Sequence, residues 1–323
     1  MKLHHLTVAT AAVTFVLLLV GGLVHGTGSS LACPDWPTCH GTFFPRMDHG
    51  VEFEHSHRLV AALAATMTFV QSALLWRDRR YKSLRPLVIA APAMVLVQAV
   101  LGGITVLLRL PKAVTLAHLT LSMCFFSVLV FLAIRTRFLG LSKTVELAPD
   151  APVRALLRLR GPVGATAATV LGQIFLGGFV RHSMAGLACT TFPLWFGYLW
   201  PPISSSVESE RIHMLHRMGA AAVAFMVISH GLLVARRARG ISCPAAHALK
   251  WLGLVSPILV VLQILLGVFS VTSLLHLPTV TAHLGIGAAL LASQVAMWTF
   301  LSPRLVTYSR AAHADERGAW VAA

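Results

Sequence analysis

GGLVHGTGSSLACPDWP, residues 21–37, returns at residues 177–193 as GGFVRHSMAGLACTTFP, without a gap and at an offset of 156. The two glycines, the Leu-Ala-Cys triplet and the final proline coincide, and Thr27 and Trp36 meet the conservative replacements Ser183 and Phe192. Such self-similarity marks two copies of one structural unit. The match continues downstream. His57-Arg58 pairs with His216-Arg217 at an offset of 159, followed by Ala61 and Ala62 against Ala220 and Ala221. Pro92, Gln98, Gly102 and His118 pair with Pro257, Gln263, Gly267 and His283, all at an offset of 165. The offset grows only between apolar runs, so the insertions fall in loops.

Those apolar runs are membrane spans. Of the 323 residues, 56% are hydrophobic and 11% charged, whereas a soluble domain carries about 25% charged residues. Eight runs, near 7–25, 54–76, 87–108, 113–135, 162–181, 212–235, 251–274 and 279–301, are each long enough to cross a bilayer as a helix. Pro92 and Pro257 lie inside two of them, which membrane helices tolerate. The first run has a counterpart deep in the chain and no small-residue cleavage site, so it reads as a span and not a removable signal. The expected fold is an all-α integral membrane protein. Its eight transmembrane helices form two four-helix bundles, related by a pseudo-two-fold axis along the membrane normal. Residues 1–135 make the N-terminal half and 162–301 the C-terminal half; 136–161 link them and 302–323 form a tail.

The net charge of +15 does not call for a nucleic acid. Basic residues gather in alternate loops: Arg77, Arg79, Arg80, Lys82 and Arg85, then Arg135 to Arg160, then Arg236, Arg237, Arg239 and Lys250, then the tail. This is the positive-inside distribution of a multi-pass protein of the cell membrane with both termini in the cytoplasm. Anionic lipid headgroups are partner enough for these loops.

Ionisable side chains inside a membrane are costly and mark function. His57 and His118 head spans two and four, and His216 and His283 repeat both placements. Facing helices would oppose the imidazoles in pairs, which is the ligand set of a six-coordinate b-type haem. Zinc fits less well, because each half offers only two histidines and no cysteine at that depth. Arg58 and Arg217 follow the ligands toward the outer face, where haem propionates want cations or where the side chains snorkel to lipid. Gly21-Gly22, Gly102-Gly103 and Gly177-Gly178 either let a flat macrocycle lie against a helix or bring two helices close. Gln98, Gln173 and Gln263 read as interhelical hydrogen bonders, and His230, where the first copy has Gln71, as structural.

Chemistry is expected where the copies differ. Glu54 stands one turn before His57 on the same face, and His213 occupies the matching place. A carboxylate there accepts or donates a proton, which assigns the reaction to the first half and a permanent haem to the second. In CPDWPTC, Cys33 and Cys39 are placed to close a small disulfide ring on the oxidising side. Cys189 aligns with Cys33, but Trp195 meets Cys39, so Cys189 is expected to be unpaired; Cys124 and Cys243 read as ordinary thiols.

Taken together, CPDWPTC, the Glu54-to-Arg58 stretch EHSHR, QAVLGGITV at 98–106 followed by His118, HR at 216–217 and LLQILLGV before His283 resemble the haem A synthase family from about residue 10 to 301. The resemblance implies an oxidoreductase that turns a ring methyl of haem O into the formyl group of haem A for cytochrome c oxidase, with oxygen drawn from water. It implies that His57 and His118 contact the substrate haem, that Glu54 is the essential glutamate and that His216 and His283 ligate haem B. Cys33 and Cys39 correspond to its first cysteine pair; its second pair is reduced here to Cys189. A haem O synthase upstream, an electron acceptor of unspecified identity and a homo-oligomer are compatible partners. The alternatives are a di-haem b-type electron-transfer cytochrome, which would leave haem unmodified, and a haem carrier.

Overall fold

Backbone in hydrocarbon must satisfy its own hydrogen bonds, and an apolar run does so as a helix. A computed structural model describes residues 3–139, 149–201, 208–303 and 305–306. Among them are eight helices long and apolar enough to cross a membrane. In chain order the helices are α1 (Leu3–Gly26), α2 (Val51–Arg77), α3 (Arg85–Leu107), α4 (Lys112–Leu139), a short α5 (Ala151–Leu157), α6 (Arg160–His182), α7 (Glu208–Ala238), α8 (Pro244–Thr272) and α9 (Leu277–Phe300). Lys2, Lys143, Arg304, Arg310 and Arg317, with most of the tail expected over 302–323, lie outside the described residues.

Two expectations need adjustment. α2 and α7 begin above the apolar stretch, so His57 and His216 lie about two turns inside their helices instead of at the start. Glu52 and Glu54, and Glu208 and Glu210, occupy those first turns, where the positive end of the helix dipole favours acids. The linker also folds in part. α4 runs on to Leu139, and Asp150 caps α5 by accepting the Val153 amide at 3.0 Å. Val153 and Leu156 join a buried cluster with Val234, Leu249 and Met297. Seven residues are too few for periodicity to reveal such a helix.

Packing runs α1–α2–α3–α4 and back to α1, and α6–α7–α8–α9 and back to α6. Hence α2 faces α4 across one bundle, and α7 faces α9 across the other. The turns entering α4 and α9 are the same turn twice. Arg109 and Leu110, like Leu274 and Leu275, have positive φ. Leu110 donates to Thr105 O at 2.7 Å and Leu275 to Ser270 O at 2.8 Å. Identical turns set His118 and His283 at the same depth.

The bundles meet where α1 packs on α9, and α4 on α6 and α9. Small residues permit this close approach. A Cβ on Gly22 would lie 2.8 Å from Leu284, one on Gly285 2.7 Å from Leu19, and one on Gly178 2.7 and 2.8 Å from Leu119 and Leu116. Leu18, Met123, Val170 and Leu291 then share one core drawn from both bundles. Gly178→Val should overpack this seam at a cost of about 1–3 kcal/mol and lower the melting temperature of the detergent-solubilised protein. An unchanged melting curve would mean the helices do not meet there.

Candidate functional site

Each of the four histidines is half-buried and lies against a glycine of a neighbouring helix. A Cβ on Gly21 of α1 would stand 3.2 Å from His57, and one on Gly102 of α3 3.5 Å from His118. The corresponding distances are 3.0 Å from Gly177 of α6 to His216 and 3.2 Å from Gly267 of α8 to His283. His57 and His118 are close enough to interact electrostatically, as are His216 and His283. The structure therefore brings the four expected ligands together as two pairs on facing helices. It also divides the glycine doublets: Gly21 and Gly177 face imidazoles, whereas Gly22 and Gly178 face the other bundle.

The residues fit a haem. The buried Nδ1 atoms of His118 and His283 have no hydrogen-bond partner among the described residues. Two imidazoles without a third histidine, cysteine or carboxylate do not enclose a bare ion, and no group of three or more such residues that could hold one occurs among the described residues. They suit an iron whose equatorial positions are already filled by a macrocycle.

A loop caps each pair. Cys33 and Cys39 form a disulfide and are fully buried. Asp35 gathers the loop by accepting from the Thr38 hydroxyl and from the amides of His40 at 2.6 Å and Gly41 at 2.9 Å. These bonds, the Thr38 hydroxyl first, lower its pKa to about 2. Asp35 was missed in the sequence, although an aspartate close to Pro37 and Thr38 was the available turn signal. Trp36 leans on α3, where a Cβ on Gly103 would meet its ring at 2.9 Å. The second loop repeats the shape. The Trp36–Pro37 and Phe192–Pro193 bonds are both cis, and the bridge Cys39–Thr42 reappears as Trp195–Tyr198. Thr191 stands in for Asp35, accepting the Phe196 amide at 2.9 Å. Cys189 is free and buried, and burial pushes its thiol pKa up.

Arginines and the Glu54 position bind the loops to the helices. Arg58 donates to the carbonyls of Cys33, Asp35 and Thr38 and pairs with Glu54 at 2.6 Å. Arg217 donates to the carbonyls of Cys189 and Thr191. Both guanidinia are thus engaged with loop backbone, contacts across 20 residues or more that no local pattern announces. Glu54 is 4% exposed, and its second oxygen accepts the Cys33 amide at 2.8 Å. In the other half the His213 Nδ1 accepts the Cys189 amide at 3.3 Å. One loop is anchored to a carboxylate and the other to an imidazole. His230 Nδ1 is hydrogen-bonded to the Thr166 hydroxyl at 2.8 Å.

The COX15-CtaA family, described as cytochrome oxidase assembly protein, matches residues 4–55 and 51–295. The chain is 29% identical to the haem A synthase of Bacillus pumilus, over 87% of this chain and 89% of that protein. It is 32% identical to that of Symbiobacterium thermophilum, over 70% and 73% respectively. It is 28% identical to that of Shewanella oneidensis, over 96% and 100%.

The Asp35 contacts give the first loop a pH signature. A carboxyl held low when folded stabilises above its unfolded pKa of about 3.9, and that contribution is lost as pH falls through about 2. Protease resistance of this loop should hold from neutrality to about pH 4 and decline between about pH 4 and about pH 2. The Asp35→Asn loop should be weaker at neutral pH and lack that step; an identical wild-type profile would contradict the role.

Proposed function

Since the chain belongs to the haem A synthase family of cytochrome oxidase assembly proteins, we propose that its α1–α4 half oxidises haem O to haem A for cytochrome oxidase while its α6–α9 half keeps a permanent haem B. It is an oxidoreductase acting on haem O. The observation that carries the division of labour is Glu54 against His213: of the two histidine pairs, only that of the first half has a carboxylate one turn from its α2 histidine, His57.

Bound haem supplies the iron and, as substrate, the ring methyl to be oxidised. The protein does the rest. His57 and His118 hold and orient the substrate between α2 and α4. The Arg109-Leu110 and Leu274-Leu275 turns set His118 and His283, one histidine of each pair, at matched depth. The disulfide loop, clamped by Arg58, excludes water from the outer end. Converting a methyl to a formyl group with oxygen from water releases four protons and four electrons. Glu54 is the nearest carboxylate to take a proton. The Cys33 amide and Arg58 each donate to one of its oxygens and hold the carboxylate in place. The half holding His216 and His283 is the nearest electron exit, and an acceptor beyond it completes the balance. Arg217 holds the second loop in the same way that Arg58 holds the first. Both termini are read as cytoplasmic, with a haem O synthase supplying substrate.

Glu54→Gln keeps an oxygen to accept from the Cys33 amide while removing the carboxylate that takes the proton and pairs with Arg58. Haem A formed per folded protein should fall about 100-fold or more, with the disulfide and haem B retained. Full haem A production by this variant would remove Glu54 from the chemistry. His216→Ala should lose haem B while haem O still loads in the other half; retention of haem B would contradict the assigned ligands.

A further inference from the structure

Basic side chains gather where the two bundles meet, at the end capped by the loops. His25 lies in the last turn of α1, Arg181 and His182 in the last turn of α6, and Lys112 begins α4. The His25 and His182 rings are 5.1 Å apart between centroids. His25 is within electrostatic reach of Arg181 and His182, and His182 within that of Arg181 and Lys112. No carboxylate joins them: the ion pairs among the described residues are Arg46–Asp48, Arg58–Glu54 and Arg80–Asp78. The Arg181 guanidinium is half-buried, and no hydrogen-bond acceptor meets it among the described residues. A cation taken out of water with no anion beside it is costly, so the cluster calls for an anionic ligand.

Helix register sets this cluster over the histidine pairs. Arg181 is one turn beyond Gly177, so it shares the face of α6 that seats His216. His182 is one turn beyond Gly178, on the face that packs against Leu116 of α4, and Lys112 is one turn from Leu116. On α1, His25 is one turn beyond Gly21, the glycine that meets His57. The opposite walls are uncharged at this level: Val106 is one turn beyond Gly102, and Val271 one turn beyond Gly267. Arg58 and Arg217 are already taken by loop carbonyls. The acidic edge of a bound haem therefore finds its cation at the seam. The two copies also differ there. At the repeat offset of 156, Arg181 stands where the first half has His25, and His182 where it has Gly26.

We propose that Arg181, with His182 beside it, binds a propionate of the haem held by His216 and His283, and that His25 is the weaker carboxylate contact at the matching place over the substrate haem. A guanidinium stays charged and takes a carboxylate through two parallel N–H donors. A neutral imidazole offers one N–H. A haem that stays gains from the first, and a haem that must leave from the second. The proposal rests on a haem lying between His216 and His283.

The test uses the purified full-length chain loaded with haem B or with haem B dimethyl ester, whose propionates are blocked. Release to excess apomyoglobin is read as loss of the six-coordinate spectrum. The wild type should release the ester about ten-fold faster than haem B, roughly the worth of one charge-assisted hydrogen bond. Arg181→Leu should release haem B about ten-fold faster than the wild type does and the ester at the wild-type rate. Arg181→Lys, which keeps the charge, should fall between. If Arg181→Leu does not load, Arg181→Gln is read in its place, and the wild-type comparison of the two haems needs no variant. Equal release of haem B and ester by the wild type, or wild-type release of haem B by the Arg181 variants, overturns the proposal. So does an acceleration as large for the ester as for haem B, which would mean that the cluster holds the fold or a lipid phosphate. Failure of the ligand assignment is separate: His216→Ala would then keep haem B whatever Arg181 does.

Discussion

Everything in this molecule turns on an imidazole lying against a glycine. A histidine inside a bilayer is tolerated only where it is enclosed by protein, and a ring approaching a neighbouring helix backbone within about van der Waals distance requires that the helix carry no side chain there. Gly21, Gly102, Gly177 and Gly267 meet that requirement, one per histidine. Their neighbours Gly22 and Gly178 bring the bundles together. In α1 and α6 adjacent glycines thus seat an imidazole and bring the halves together.

Duplication explains the likeness of the two halves, and a few residues depart from it. The capping loops share a cis proline, a turn bridge and an arginine clamp. They differ in the anchor at the loop amide, Glu54 or His213, and in the presence of a disulfide. Beneath them, glutamines reach both rings of one half and neither ring of the other. Around its histidine pair, the first half alone carries the carboxylate and the disulfide.

The eight spans, the repeat, the four histidines and the Cys33–Cys39 ring were legible in the sequence. They depend on run length, identity at fixed offsets and short separations. The roles of Arg58 and Arg217 were not legible, because propionates and loop carbonyls ask for the same cation. Only the fold shows the loop returning to cover the helix end. The glutamines were recognisable as hydrogen bonders, but their targets depend on helix rotation: Gln98 and Gln263 occupy equivalent positions and serve different atoms. Short α5 escaped because its length is below what periodicity resolves.

Haem A production by this chain can be read directly from the haem it yields. The most direct measurement is pigment analysis after co-expression with a haem O synthase in a host that lacks haem A. Extracted haems are separated, and their reduced pyridine spectra recorded. A formyl-shifted band at the retention time of haem A is the expected result. Only haem B and haem O, extracted from protein shown to be folded and haem-loaded, would contradict it.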